Sequence, residues 1–137
     1  MKKIVIDASV ALSWLLPGEE NTATLILKKK VVNNPDWQLF TPSIFWCEIA
    51  NTLWVAVKRK RINEIDARIA LNALMDFDIS VRPTDPVEDL DISIEENIAV
   101  YDSSYLSLAN NFNAELWTLD KAMVKIAKKN NLEVKPD

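Results

Sequence analysis

Asp7, Glu48, Asp102 and Asp120 stand in four separate stretches that are otherwise apolar. Asp7 closes the run Ile4-Val5-Ile6, and Glu48 interrupts Ile44-Phe45-Trp46-Cys47-Glu48-Ile49-Ala50. Asp102 follows Ala99-Val100-Tyr101, and Asp120 follows Leu116-Trp117-Thr118-Leu119. A carboxylate rarely enters apolar surroundings unless something pairs with it. Four meeting in one place repel one another, and a hard divalent cation such as Mg²⁺ is the usual remedy. The chemistry that such a set suggests is metal-dependent attack on phosphate esters.

Small hydroxyls accompany the acids. Ser9 lies two residues after Asp7, Ser103 follows Asp102, and Thr118 lies two before Asp120. Hydroxyls of this kind orient carboxylates or hold metal-bound water. A plainer role competes at each aspartate, because Asp is a good N-cap and Asp7, Asp102 and Asp120 each stand where a helix can begin. Glu48 is harder to explain that way. Its helix is apolar almost all round and is expected to be largely buried, with Glu48, Asn51 and Thr52 forming one narrow polar stripe. Such a stripe reads as the wall of a site. Cys47 points about 100° away from Glu48 and reads as core.

Absences narrow the chemistry further. With no histidine among 137 residues, Ser-His-Asp and Cys-His mechanisms and His-ligated zinc are excluded. The single glycine, Gly18, rules out Gly-rich phosphate loops. One cysteine forms neither an internal disulfide nor a Cys-rich metal site, which fits a reducing cytoplasm. Met1-Lys2-Lys3 before an apolar stretch imitates a signal peptide, but Asp7 interrupts that stretch and no small-residue cleavage site follows. No run reaches the roughly 18 to 20 apolar residues of a membrane span. The expectation is a soluble cytoplasmic protein.

The net charge of −4 disfavours a nucleic-acid partner taken alone. Positive charge is clustered, however, at Lys28-Lys29-Lys30, at Lys58-Arg59-Lys60-Arg61, and at Lys121, Lys125, Lys128 and Lys129. Each cluster reads equally as a solvated helix end or as a phosphate contact.

Alternating elements must position these residues. Ile4–Ile6 reads as a buried parallel strand, and a helix from Ser9 to Leu16 stops at Pro17-Gly18. A second helix spans Asn21–Val32, and Gln38–Phe40 forms a strand. Thr41-Pro42 is expected to start a third helix, Thr as N-cap and Pro in the first turn, running to about Lys58. A fourth runs from Asn63 to about Phe77. Ile79–Arg82 is a strand, Val87–Glu96 a helix, and Asp102–Asn111 another. Glu115–Leu119 reads as a strand, Lys121–Lys129 as the last helix, and Leu132–Val134 as a final strand. The fold class is α/β, one domain over residues 1–137, a parallel sheet flanked by helices. Ligands of such sheets bind beyond the carboxyl ends of the strands, and Asp7 and Asp120 sit at two strand-to-helix junctions of that kind. The five tryptophans read as core or interface, with Trp46 or Trp54 a contact to a second chain.

Four blocks, Val5-Ile6-Asp7-Ala8-Ser9-Val10, Pro42-Ser43 with Glu48-Ile49-Ala50-Asn51, Tyr101-Asp102-Ser103-Ser104-Tyr105, and Thr118-Leu119-Asp120-Lys121, together resemble the PIN-domain ribonucleases. The toxin subunits of VapBC toxin–antitoxin pairs are the most similar in pattern. The resemblance implies an acidic site binding Mg²⁺ or Mn²⁺ and endonuclease activity on RNA. By position, Asp7, Glu48, Asp102 and Asp120 match the family's acids, and Ser9 and Thr118 its hydroxyl positions. It also implies homodimers, and an antitoxin whose C-terminal segment wraps the toxin and obstructs the site.

On this reading Asp7 and Asp102 are direct or water-mediated metal ligands and Asp120 completes the cluster. Glu48 either joins the ligands or positions the attacking water, and one or two ions serve equally well. Because carboxylates repel RNA, basic groups on the rim must hold the substrate, and Lys121 and Lys125 are the first candidates. Phosphotransfer domains are a weak rival: the phosphatase pattern wants a second Asp at Ser9, and receiver domains want paired acids where Lys2-Lys3 stand. A PIN-like module that only binds RNA or protein, and an RNA-processing nuclease outside a toxin–antitoxin pair, stay open.

Overall fold

Ile4, Val5 and Ile6 are fully buried because their strand, β1 (Lys2–Ile6), is the middle of a sheet covered on both faces. In the computed structural model, which describes residues 1–137, β1 pairs in parallel with β2 (Trp37–Thr41) on one side and β4 (Glu115–Trp117) on the other. Val5 lies opposite both Phe40 and Leu116. Outside them run β3 (Ile79–Val81) and β5 (Val134–Lys135), giving the all-parallel order β3-β2-β1-β4-β5. The expected parallel sheet flanked by helices is what the chain forms.

Helices α1 (Ala8–Leu15), α2 (Thr22–Asn33), α3 (Phe45–Lys58) and α4 (Glu64–Met75) carry the chain outward from β1 to β3. Helices α5 (Pro86–Glu96) and α6 (Val100–Phe112) return it across the sheet to β4, and α7 (Lys121–Lys129) leads to β5. Right-handed crossovers then place α1–α4 on one face and α5–α7 on the other. Packing agrees, since α1 touches α2, α3 and α4 while α6 lies on α5, β1 and β4. The direction of travel reverses between β1 and β4, so a crevice opens beyond their carboxyl ends. Asp7 follows the first of these strands and Asp120 the second.

The local chemistry behaves as capping rules require. Asn21, Asn63 and Asp85 each accept an amide of the first turn of their helices. Three expectations need correction. First, Thr41-Pro42 does not start α3. Thr41 is the last residue of β2 and is wholly buried, its hydroxyl donating to the Ile6 carbonyl at 3.4 Å. A turn follows, closed by the Phe45 amide on the Pro42 carbonyl at 3.1 Å, and no side chain caps the helix.

Second, α3 is not buried all round. Phe45, Ile49, Leu53 and Ala56 face the core, whereas Cys47 and Trp54 are exposed, so Cys47 is not a core residue. Trp54 instead carries the Lys58 ammonium 4.1 Å from its ring centroid. Third, α6 begins at Val100, before Asp102, with Ala99 as its cap.

Candidate active site

The amide of Asp7 donates to the Trp117 carbonyl at 3.1 Å, so the hydrogen bonds that join β1 to β4 fix the place of its side chain. That carboxylate is only 7% exposed. One oxygen accepts the Ser9 hydroxyl at 2.5 Å and the Val10 amide at 3.2 Å, and the other accepts the Thr118 hydroxyl. Each hydroxyl is itself held by a backbone amide, Leu119 N–H on Ser9 Oγ at 2.9 Å and Asp120 N–H on Thr118 Oγ1 at 3.0 Å. With those lone pairs occupied, both hydroxyl hydrogens point at Asp7. Asp7 therefore caps α1 and also faces the crevice.

Asp120 caps α7 with one oxygen, which accepts the Ala122 and Met123 amides at 2.9 and 3.4 Å. Its second oxygen takes no hydrogen bond from the protein. Asp102 is not a cap: it sits in the first turn of α6, past the cap residue Ala99. Glu48 comes from the opposite face of the sheet, one turn into α3, and accepts the Tyr105 hydroxyl of α6 at 2.8 Å. That bond bridges α3 and α6.

The charges respond to one another. Burial pushes the Asp7 carboxyl up, its hydroxyl and amide partners pull it down, and Asp120 pushes it up further. Burial raises Glu48 as well, against the Tyr105 hydrogen bond, and Asp102 and Asp7 add to the rise. Asp102 is raised by burial and then by Asp120. The four acids thus form one electrostatic group, assembled from β1, α3, α6 and the β4–α7 junction. None of them pairs with a lysine or arginine.

An all-oxygen, uncompensated carboxylate group is the donor chemistry of a hard divalent cation. In kind, the residues fit one. In geometry, no three of them stand in close ligand arrangement.

Ser9 and Thr118 stand beside Asp7, at the positions sequence reasoning selected. Ser103 does not join the group: it is fully buried and shares its hydroxyl with Ser93 at 2.5 Å and with the Ala99 carbonyl. Asn51 is exposed and Thr52 half-buried, and neither hydrogen-bonds any of the four acids. Lys121 and Lys125 are exposed and unpaired on α7, Lys121 directly after Asp120. Lys28–Lys30 lie in the second half of α2, the helix that leads to the amino end of β2, opposite the strand ends that Asp7 and Asp120 follow. Arg61, in the remaining cluster, is tied to Glu19 at 3.3 Å. Two residues went unnoticed. Tyr105 lies three residues beyond Asp102, on the same face of α6, and that spacing was a usable signal. Asp89, 4% exposed, accepts the Ser107 hydroxyl at 2.5 Å and the Thr84 hydroxyl. It sits among other acids in sequence, so nothing marked it as buried.

The PIN domain family model matches residues 4–129. Ribonuclease VapC3 of Pyrobaculum aerophilum is 26% identical over 127 residues, covering 90% of this chain and 93% of that protein. Ribonuclease VapC9 of Mycobacterium tuberculosis is 31% identical over 117 residues, 85% of each. Among solved structures, VapBC2 of Rickettsia felis bound to a fragment of its promoter DNA superposes with a TM-score of 0.68 at 12% identity, over 97% of both chains. The chain belongs to the PIN domain family.

Proposed function

We propose that this chain is an endoribonuclease dependent on Mg²⁺ or Mn²⁺, the toxin of a toxin–antitoxin pair working in the cytoplasm, with residues 1–137 as one nuclease domain. The observation that carries the reading is the group of four carboxylates at the strand-order reversal, without a cation from the protein. Asp7, Asp102 and Asp120 would hold the metal, with Glu48 as a further ligand or as the group that orients water. When bound, a divalent ion neutralises phosphate charge and activates water. The protein supplies the rest. Ser9 and Thr118 hold Asp7 in place, Tyr105 holds Glu48, and Lys121 and Lys125 offer unpaired charge to phosphates beside the site.

Two surfaces support the partners this reading requires. Trp54, Ile65 and Ile69 are exposed on α3 and α4, and Val87, Leu90 and Ile94 are exposed along α5. Large exposed apolar groups of this kind mark interaction sites. Two such faces suffice for a second copy of the chain and for an antitoxin segment. No helix is long and apolar enough to cross a membrane. A binding-only role draws on a different observation, that no three carboxylates stand in close ligand arrangement.

The test incubates wild type and Asp7→Asn with structured and single-stranded RNAs in Mg²⁺, in Mn²⁺ and in chelator. Asparagine still caps α1 but removes one charge from the group. Cleavage should require metal and fall about 100-fold or more in the variant. Equal cleavage by both proteins would refute the site. Metal binding without cleavage of any RNA would establish the binding-only role.

A further inference from the structure

A cavity of about 390 Å³ opens beyond β2 and β3, walled by Pro42 and Ile44 on one side, Pro83 and Thr84 on another, and Tyr101 and Ser104 of α6 on the third. It adjoins the carboxylate group through shared elements. Ile44 lies one helical turn before Glu48 on the same face of α3. Tyr101 precedes Asp102, and Ser104 precedes the tyrosine that holds Glu48. Along the sheet, Lys121 and Asp120 lie beyond β4, Asp7 beyond β1, and the cavity beyond β2 and β3. A strand held by its phosphates at α7 and crossing the carboxylates runs into it.

The lining suits a base better than a phosphate. It contains no lysine or arginine, and its one charged residue, Asp89, is buried with both oxygens engaged by Ser107 and Thr84. Tyr101, by contrast, is 62% exposed and so offers a ring face at the rim. Aromatic faces of this kind stack unpaired bases. Of the hydroxyls that line the cavity, Thr84 and Ser104 have committed their hydrogens, to Asp89 and to the Tyr101 carbonyl at 2.6 Å, whereas Ser43 and Tyr101 keep theirs free. The lining therefore offers both donors and acceptors, and discrimination between bases falls to the strength of stacking on Tyr101.

We infer that this cavity is a nucleobase subsite: it takes the base of the nucleotide flanking the scissile phosphate on the side away from Lys121, and favours the larger, better-stacking rings of adenine and guanine over uracil. The inference rests on the nuclease reading for the phosphate's place, but base recognition is measurable without cleavage.

Two measurements test it. Cleavage ends are mapped on a randomised RNA pool for wild type and Tyr101→Ala. Binding of oligoadenylate and oligouridylate is measured in Mg²⁺ for Asp7→Asn and for the Asp7→Asn, Tyr101→Ala double variant, across a salt series. Tyr101→Ala should flatten the base preference beside the cut and weaken oligoadenylate binding about 10-fold, leaving the salt slope unchanged. Lys121→Ala should do the reverse, reducing the salt slope by about 1 with the base preference intact. If wild type cleaves and Tyr101→Ala keeps the same preference and affinity, the subsite is wrong and the nuclease stands. If no RNA is cleaved but Tyr101→Ala still costs base-dependent affinity, the nuclease is wrong and the subsite stands. Conversion of a dimer to a monomer by Tyr101→Ala, seen in sedimentation, would overturn the proposal by assigning this face to a second copy.

Discussion

Ser9 and Thr118 show how a buried carboxylate keeps its place without a counter-ion. Each hydroxyl accepts a backbone amide from the β4–α7 junction and so turns its hydrogen toward Asp7. Tyr105 donates its own hydroxyl to Glu48 from α6. Its removal has a signed consequence, because the tyrosine bond is what pulls the Glu48 carboxyl down against burial and its acidic neighbours. Tyr105→Phe should lower kcat about 10-fold with KM unchanged, and shift the acid limb of the pH–rate profile to higher pH. A purely structural role would leave that limb where it is. The four acids were legible because apolar neighbours make a carboxylate conspicuous. Tyr105 was not singled out despite its spacing from Asp102: a tyrosine on a helix reads by default as core, which it is, and its partner lies 57 positions away.

At the scale of elements, α3 and α6 matter most, since they bring Glu48 and Asp102 over the edge of the sheet from opposite faces. Phe45 anchors the start of α3. It is fully buried and meets the Trp46 ring edge-on, centroids 5.1 Å apart. Phe45→Ala should cost about 3–5 kcal/mol in denaturant unfolding, and nuclease activity per folded molecule should fall too as Glu48 loses its support. Most elements were legible because buried strands are short apolar runs and helices start at Asn or Asp. The start of α3 was misread because Thr41-Pro42 has the composition of a cap. The hydroxyl of Thr41 turns instead to the neighbouring strand, a tertiary contact that local chemistry does not announce.

For the whole molecule, the carboxylate group is an electrostatic liability at neutral pH. Burial and mutual repulsion hold Asp7, Glu48 and Asp102 above the ordinary 3.8 of aspartate and 4.5 of glutamate. Above those values the folded chain holds protons that the unfolded chain has released, so their contribution to stability falls as pH rises through that window. At neutral pH the group is destabilising. Asp102→Asn should therefore raise the melting temperature in chelator at pH 7 by about 2 °C. That difference should shrink toward pH 4 and reverse when Mg²⁺ stabilises only the wild type. Meeting of Asp7 with Asp120 was half legible, since both end strands; the arrival of Asp102 required knowing that α6 crosses the sheet. One further consequence concerns synthesis rather than catalysis. The bond from Thr118 to Asp7 joins residues 111 positions apart, and chains emerge N-terminus first. A polypeptide stalled before Thr118 has neither the second hydroxyl of Asp7 nor Asp120, so on the proposed site incomplete translation products should be inert toward the RNA around them.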